Sequence, residues 1–192
     1  MVRSLVLCGV GGQGIIRAGS IISAAALKSG LDVKSAEVHG MAQRGGSVVT
    51  QIRFGDKVLS PLIKRKGADF MLGLEKLEAL RYIDYLKPDG IALVADLELI
   101  PVTDSIGLAE YPENLDLLLK ERAPNLRLID PMPIAREVGE PRAANVVMIG
   151  ALSNLLPFEE AVWEEAIAEN VPPKTVEANL KAFRMGRELL RR

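Results

Sequence analysis

Cysteine is almost absent from this chain, which has one thiol, Cys8, among its 192 residues. A single cysteine excludes an intrachain disulfide and the set of thiolates that a structural zinc ion or an iron–sulfur cluster requires. Cys8 lies inside the apolar run at residues 5–8, where no basic neighbour favours a thiolate, so we interpret it as a small buried core residue.

Long apolar runs and an excess of one charge are also missing. No stretch of roughly 18 apolar residues is present, as a membrane span would need, and the N-terminus leads directly into a predicted strand instead of a cleavable leader. We therefore expect a cytoplasmic protein with no membrane partner. Lysine and arginine number 24 against 25 acidic residues, a net charge of -1, so no global field favours binding to nucleic acid.

The basic cluster Lys64, Arg65 and Lys66 is a local exception to this balance of charge. It precedes a glycine and a predicted strand, so we expect it in a loop. There it could bind a phosphate or simply keep one end of the sheet solvated, and the second interpretation is favoured.

Hydrophobic runs separated by turn signals predict an α/β fold. The first half of the chain has the pattern of a βαβ opening, followed by an antiparallel excursion in which residues 47–54 and 57–59 form a hairpin across Gly55 and Asp56. Strands are predicted at residues 3–8, 32–38, 47–54, 68–72, 91–95 and 125–129, and helices at residues 14–29, 75–86 and 115–121.

From residue 131 onward the pattern is helical. Residues 144–156 are apolar on nearly every side, which predicts a buried helix in which Gly150 permits the close approach of a neighbour, and this helix is also a candidate partner-subunit face. Residues 158–170 and 174–190 are predicted amphipathic helices. The whole chain, 1–192, is therefore predicted to be one Rossmann-like, three-layer α/β domain with a mostly parallel sheet and a helical C-terminal extension at 157–192.

Two glycine-rich turns at neighbouring strand ends define one candidate site. The first, at residues 9–14, has the GxGxxG spacing between a strand and a helix, which lets backbone N–H groups face an anion. In a dinucleotide interpretation Gly9 makes the turn, Gly11 and Gly12 admit the diphosphate, and Gly14 packs the helix. The alternative is that these glycines only shape a tight turn. A P-loop nucleotidase is excluded, because Ile15 follows where a lysine would be needed.

Side chains around the first turn are candidate ligand contacts. Glu37 ends the second predicted strand, where it could bond a ribose hydroxyl. Gln13 offers its amide either to a ligand or to the turn itself. His39 is the only histidine, so any imidazole acid or base must be this residue, although a lone histidine beside a glycine turn is more often structural.

The second turn, at residues 40–46, adds polar side chains to a flexible backbone. Gln43 and Arg44 lie there beside Gly45 and Gly46. Arg44 could form paired hydrogen bonds to a phosphate or a carboxylate, or it could be a surface charge. Further along the chain, Asn145 is interpreted as a cap or as a polar anchor at a packed interface.

Several blocks of the chain together give a more specific signal than the glycine turn alone. They are the turn at 9–14, the block Glu37-Val38-His39-Gly40-Met41-Ala42-Gln43-Arg44-Gly45-Gly46-Ser47-Val48, and residues 60–63, 67–69, 77–81, 129–130 and 145–151. In combination they resemble the gamma-type domain of 2-oxoacid:ferredoxin oxidoreductases over about residues 1–156. Within that family the block from Glu37 to Gly46 is most similar to the beta subunit of indolepyruvate ferredoxin oxidoreductases.

The resemblance implies a domain of a multi-subunit enzyme that decarboxylates an aryl 2-oxoacid, forms the acyl-coenzyme A and reduces ferredoxin. It implies that thiamine diphosphate, its Mg ion and iron–sulfur (4Fe-4S) clusters are held by a larger alpha subunit, since this chain lacks the cysteines and a Gly-Asp-Gly stretch with a following asparagine. The chain would be inactive alone, with no metal and no assigned catalytic residue, and ferredoxin would be reached through the complex.

For the site residues, the resemblance implies only that they line a shared active region. That region would either receive the diphosphate and pantetheine of coenzyme A or close over the thiamine site of the partner, and both alternatives stay open. The residues concerned are Gly11, Gly12, Gln13, Gly14, His39, Gln43 and Arg44.

Two other functional classes remain open at the level of sequence. The GxGxxG turn and Glu37 are also compatible with a stand-alone NAD(P)- or flavin-binding Rossmann protein. A non-catalytic assembly subunit with a vestigial glycine turn is the other. Because only 4% of the residues are aromatic, the chain offers little material for an aryl pocket, and the choice of indolepyruvate is a family-level expectation.

Overall fold

The structure, a computed structural model, describes residues 1–40, 45–99 and 112–191. A six-stranded sheet in the order β2-β3-β1-β4-β5-β6 organises them, and β1, β4, β5 and β6 are parallel. The strands are β1 (Arg3–Val10), β2 (Asp32–His39), β3 (Ser47–Gly55), β4 (Ala68–Gly73), β5 (Leu86–Ala95) and β6 (Asn125–Ile129). The predicted, mostly parallel sheet is confirmed.

Helices cover both faces of this sheet. The α-helices of the described residues are α1 (Ile15–Lys28), α2 (Lys76–Tyr82), α3 (Leu115–Arg122), α4 (Met132–Glu137), α5 (Ala144–Ser153), α6 (Glu160–Asn170) and α7 (Val176–Glu188). Helices α1, α5, α6 and α7 share one hydrophobic core with the first face of the sheet, and α2 and α3 share another with the second face. This is the predicted three-layer α/β architecture. None of the described helices has the length and apolar character to span a bilayer.

Strand β3 runs antiparallel to both of its neighbours, β1 and β2. It is the predicted antiparallel excursion, but the predicted hairpin with residues 57–59 is wrong. Both edges of β3 are already paired, and Val58 instead enters the core while its N–H donates to Asp32 Oδ2 at 2.8 Å. Since β3 separates β1 from β2, the opening is not a βαβ unit of adjacent strands.

Strand β5 begins earlier than the sequence indicates. The turn signals at residues 88–90 predict a break before residue 91, whereas the strand begins at Leu86. Leu86 is buried and pairs with Ala68, and the register then shifts before Phe70 pairs with Ile91. This shift in register accommodates residues 88–90, which were predicted to interrupt the strand.

Strand β1 shows why a central strand has a continuous apolar sequence. Leu5 and Leu7 face the first core, whereas Val6 and Cys8 face the second, and none of the four is exposed. A strand covered by helices on both faces needs apolar residues at every position. Burial raises the pKa of the Cys8 thiol, and the nearby carboxylates add to that effect. Cys8 is therefore the protonated core residue that was predicted.

Helices α5 and α7 cross in direct backbone contact. A Cβ atom on Gly150 would lie 2.3 Å from the carbonyl oxygen of Phe183, and one on Gly186 would lie 2.2 Å from that of Val147. The predicted close approach at Gly150 is confirmed, but the neighbour is a helix of the same chain. The hypothesis that this helix faces a partner subunit is wrong, because residues 146–149 are at most 1% exposed.

The C-terminal helices complete the first core. Trp163 of α6 and Phe183 of α7 are fully buried, and their rings lie 6.2 Å apart. Phe158 links them to the sheet, since its ring is 5.5 Å from that of Trp163 and 5.5 Å from that of Phe54 in β3. Residues beyond 157 thus pack in the same core as β1 and β3.

Thr50 of β3 carries a buried hydroxyl that has no hydrogen-bond partner among the described residues. An unpartnered buried hydroxyl costs roughly 1–3 kcal/mol, whereas a methyl group of the same shape carries no such cost. We expect Thr50→Val to raise the free energy of unfolding by about 1 kcal/mol in urea titrations followed by circular dichroism. Thr50→Ser, which keeps the hydroxyl and removes the methyl, should lower it. A loss of stability in the valine variant would contradict this account.

Candidate functional site

The first glycine turn joins β1 to α1 and leaves the start of the helix uncapped. Gly12 and Gly14 have φ of 104° and 78°, a region that side-chain-bearing residues rarely adopt. Gly14 is the N-cap of α1, no side chain caps it, and the first turn contains no acidic residue. The N–H groups of this helix start, with the positive end of the helix dipole, are available to an anion.

Asn145 of α5 packs directly against the start of α1. Its Nδ2 donates a hydrogen bond to the carbonyl oxygen of Gly14 at 3.2 Å. A Cβ atom on Gly14 would lie 2.4 Å from the same nitrogen. Gly14 therefore packs the helix, and Asn145 is the predicted polar anchor at a packed interface.

The Gln13 amide is bound at both ends by the backbone. Its Oε1 accepts from Val10 N–H at 2.8 Å, and its Nε2 donates to the carbonyl oxygen of Leu74 at 2.7 Å. Gln13 thus fastens the end of β1 to the residue after β4. Of its two predicted roles, the geometry favours the one within the turn.

The two glycine-rich turns are hydrogen-bonded to each other. Gly11 N–H donates to the carbonyl oxygen of Gly46 at 2.7 Å, and Gly45 N–H donates to that of Gly11 at 3.3 Å. The turns therefore meet in one place, as their positions at neighbouring strand ends predict. Gln43 and Arg44 lie outside the described residues, and their ligand contacts stay predictions.

A polar cluster on the second face of the sheet holds the residue that follows the second turn. The Ser47 hydroxyl donates to a carboxylate oxygen of Glu78, and it lies 3.1 Å from the Tyr82 hydroxyl. Arg81 Nε donates to the other oxygen of Glu78 at 3.1 Å. Because Glu78 is buried, this network fixes the point at which the chain re-enters the sheet.

A cavity of about 1010 Å³ opens beside the two turns. From the first turn it is lined by Gly11, Gly12 and Gly14, and from the end of β2 by His39 and Gly40. Its volume is that of a site for a large cofactor or cosubstrate. The structure therefore brings four of the predicted residues, the three glycines and His39, to one concave surface.

Two arginines make this cavity electropositive. Arg17 of α1 and Arg142 of the short 3-10 turn Pro141–Ala143 both line it, and no aspartate or glutamate does. Neither arginine is ion-paired with a carboxylate in the part of the chain that the structure describes. Neither arginine was predicted from the sequence to belong to the site. Arg17 could have been found from its place one helical turn after Gly14, whereas nothing local connects Arg142 to the glycine turn.

Five predicted residues that the structure describes do not line the cavity: Gly9, Gln13, Glu37, Gly45 and Gly46. Gly9 lies beneath the turn, where an added Cβ atom would be 2.5 Å from Ile15 Cδ1. Glu37 pairs with Thr50 of β3, and β3 lies between β2 and β1. In a dinucleotide fold the corresponding acidic residue ends the strand next to β1. The topology therefore does not support Glu37 as a ribose ligand.

No other polar feature forms a comparable site within residues 1–40, 45–99 and 112–191. These residues contain no group of three or more histidine, cysteine, aspartate or glutamate side chains arranged to hold a metal ion. A smaller cavity of about 270 Å³ lies beside Asp69. That carboxylate already accepts from Lys87 Nζ at 2.5 Å and from Ser4 N–H at 2.8 Å.

Lys76 is a buried cation that, like Asp69, is already paired with groups of opposite charge. Its Nζ lies 2.6 Å from Asp96, 2.8 Å from Asp116 and 3.2 Å from Glu98. Burial alone would lower the pKa of Lys76, but its hydrogen bonds to these carboxylates outweigh burial and raise that pKa. The cluster joins the end of β5 to α3 and has no open position for a ligand cation.

Comparison with known proteins gives consistent matches along nearly the whole chain. Residues 4–189 match the family model described as pyruvate ferredoxin/flavodoxin oxidoreductase. The indolepyruvate oxidoreductase subunit IorB of Thermococcus kodakarensis is 40% identical over 95% of this chain and 93% of its own length. The 2-oxoglutarate synthase subunit KorC of Methanothermobacter marburgensis is 32% identical over 99% and 97% of the two chains.

A solved structure has the same architecture. The gamma subunit of a keto/oxoacid ferredoxin oxidoreductase from Geobacter sulfurreducens superposes with a TM-score of 0.69 at 26% identity. The match covers 97% of this chain and 96% of that one. The resemblance in sequence therefore extends to the three-dimensional fold, including the C-terminal helices.

Proposed function

This chain belongs to the pyruvate ferredoxin/flavodoxin oxidoreductase family, and on that basis we propose that it is the small, gamma-type subunit of an indolepyruvate:ferredoxin oxidoreductase. Relatives named for indolepyruvate are 35% to 42% identical to it, whereas those named for 2-oxoglutarate are 28% to 33% identical. The observation that carries the proposal is this higher identity over nearly the full length of both chains.

In the proposed reaction an aryl 2-oxoacid loses carbon dioxide, its acyl group passes to coenzyme A, and ferredoxin takes up the electrons. We assign the 1010 Å³ cavity to the phosphate groups of coenzyme A. The uncapped start of α1 and the unpaired cations of Arg17 and Arg142 suit a diphosphate. Bound coenzyme A would supply the acyl-accepting thiol, and this chain would hold and orient it.

The redox centres of the proposed complex are assigned to a larger partner subunit. The only cysteine of this chain, Cys8, is fully buried in the core, and a single thiol is far short of the four that an iron–sulfur cluster needs. Thiamine diphosphate, its Mg ion and the 4Fe-4S clusters would then be held by the larger subunit, and ferredoxin would bind to the complex.

Co-expression with the larger subunit tests this function. The purified complex should reduce ferredoxin in a reaction that depends on coenzyme A, with indolepyruvate and phenylpyruvate used in preference to pyruvate and 2-oxoglutarate. Each subunit alone should be inactive. Oxidation of a 2-oxoacid by the isolated chain would contradict the subunit assignment, and a preference for 2-oxoglutarate would contradict only the aryl substrate.

A stand-alone dinucleotide binder has less support from the geometry. Its GxGxxG turn is present, but β3 separates Glu37 from β1. Saturable binding of NAD(P) or a flavin nucleotide by the isolated chain in calorimetry would favour that alternative.

A further inference from the structure

The loop at residues 56–67 displays two leucine side chains to solvent. Leu59 is 86% exposed and Leu62 is 65% exposed, although the adjacent residues Val58 and Ile63 are buried. The loop is therefore attached to the core by one set of apolar residues and presents another set outward. Soluble proteins rarely keep neighbouring large apolar side chains in water unless the surface has a function.

Specific hydrogen bonds hold this loop in place. Ile63 N–H donates to Gln51 Oε1 at 2.6 Å, and Arg53 Nη1 donates to the carbonyl oxygen of Ser60 at 3.0 Å. Lys66 closes the loop with a φ of 55°, which costs about 1 kcal/mol for a residue other than glycine. The leucines are thus presented by a preorganised backbone, which lowers the entropy cost of binding a partner.

A third exposed apolar side chain, that of Val38 in β2, lies on the face of the sheet to which this loop is attached. It is 61% exposed and pairs with Val49, which shares its face of the sheet with Gln51, the residue bonded to the loop. Helices α2 and α3 pack on β1, β4, β5 and β6 on this side. We call Val38, Leu59 and Leu62 the apolar docking surface.

Cations border the apolar docking surface. Lys64, Arg65 and Lys66 are exposed, and none forms an ion pair with a carboxylate in the described ranges. The chain as a whole has a net charge of -1, so this positive charge is local. A complementary partner surface would have an apolar recess surrounded by acidic side chains.

We propose that the apolar docking surface binds the larger, cofactor-bearing subunit, through an apolar recess with an acidic rim on that subunit. This inference rests on the proposed function. Val38 and His39 are consecutive residues of β2, so their side chains lie on opposite faces of the sheet, and only His39 lines the cavity. Because β2 is the edge strand and leads directly into the second glycine turn, a subunit bound at Val38 lies beside that turn and would reach the cavity by extending round this edge. A second copy of this chain is a poorer occupant, because a two-fold contact would bring the same cations together.

The test is a binding measurement on the two purified subunits. Leu59→Asp combined with Leu62→Asp should raise the Kd for the larger subunit at least about 50-fold, since buried apolar anchors dominate interface energies. Leu117→Asp is the matched control, because Leu117 is 59% exposed on α3, and its Kd should stay within about threefold of wild type. Thermal unfolding of the isolated small subunit should be unchanged in all variants.

The charged border gives an independent readout. Lys64→Glu, Arg65→Glu and Lys66→Glu together should slow association and weaken its dependence on salt. A leucine variant that binds like wild type would overturn the docking surface and leave the proposed function intact. Loss of self-association in analytical ultracentrifugation, with unchanged binding to the larger subunit, would overturn it in favour of a second copy. Failure of the wild-type subunits to bind each other would overturn both proposals.

Discussion

Gly186→Ala should lower the free energy of unfolding by about 3 kcal/mol, the largest loss of stability that we expect from a single methyl group in this chain. The added Cβ would lie 2.2 Å from the carbonyl oxygen of Val147 and 2.9 Å from its carbonyl carbon. These atoms belong to the backbone of a buried helix and cannot move aside cheaply. In an exposed helix the same change would stabilise the protein by about 1 kcal/mol. A loss of stability in Gly186→Ala would therefore indicate the backbone contact between the two helices.

Gly19→Ala is the matched control within a helix. The nearest atoms to a Cβ on Gly19 all belong to side chains, and the closest of them is a methyl carbon, Thr50 Cγ2, at 3.1 Å. We therefore expect the stability of this variant to change by less than about 1 kcal/mol. Urea unfolding followed by circular dichroism measures both variants. Gly150→Ala, on the other side of the same crossing, should resemble Gly186→Ala, and the double variant should lose less than the sum because one displacement relieves both contacts. Wild-type stability in Gly186→Ala would contradict the backbone contact.

Local periodicity predicted which segments form helices and strands, but it did not predict how the strands pair. The alternation in β3 and the Gly55-Asp56 signal indicated a local hairpin, whereas β3 pairs with β1 and β2 along its whole length. Strand pairing depends on which strand edges have unpaired backbone groups and on how much apolar surface each possible strand order buries. Neither quantity is contained in a short window of sequence. The two glycines at the α5–α7 crossing illustrate the same limit, since only Gly150 was recognised and its partner helix was not.

The candidate site shows a similar division. The backbone part, the glycine turn that opens α1, follows from residue types that have a local conformational reason. The side-chain part depends on distant neighbours. Gln13 is bound because the carbonyl of Leu74 lies next to it, and Arg142 reaches the cavity because Asn145 packs α5 against Gly14. Glu37 was misplaced for the converse reason, because β3 occupies the position next to β1.

Arg17→Ala combined with Arg142→Ala should raise the KM for coenzyme A about 100-fold in the reconstituted complex. A hydrogen bond to a charged group contributes roughly 1.5–3 kcal/mol, and since both side chains are exposed in the free subunit we use the low end, about 3 kcal/mol for the pair. These contacts bind a part of the cosubstrate remote from the reacting thiol. They hold the ground state and the transition state equally, so kcat at saturating coenzyme A should change little.

Arg136→Ala is the control for this pair, because Arg136 is exposed on α4 and does not line the cavity. The Michaelis constants for both substrates distinguish the roles that the sequence left open. A rise in the KM for coenzyme A alone supports the phosphate assignment. A rise in the KM for the 2-oxoacid instead would mean that the cavity closes over the thiamine site of the partner. Unchanged Michaelis constants and kcat with intact assembly would mean that the glycine turn is vestigial. If the site bound an anion during turnover, the loss of two cations from it would weaken that binding.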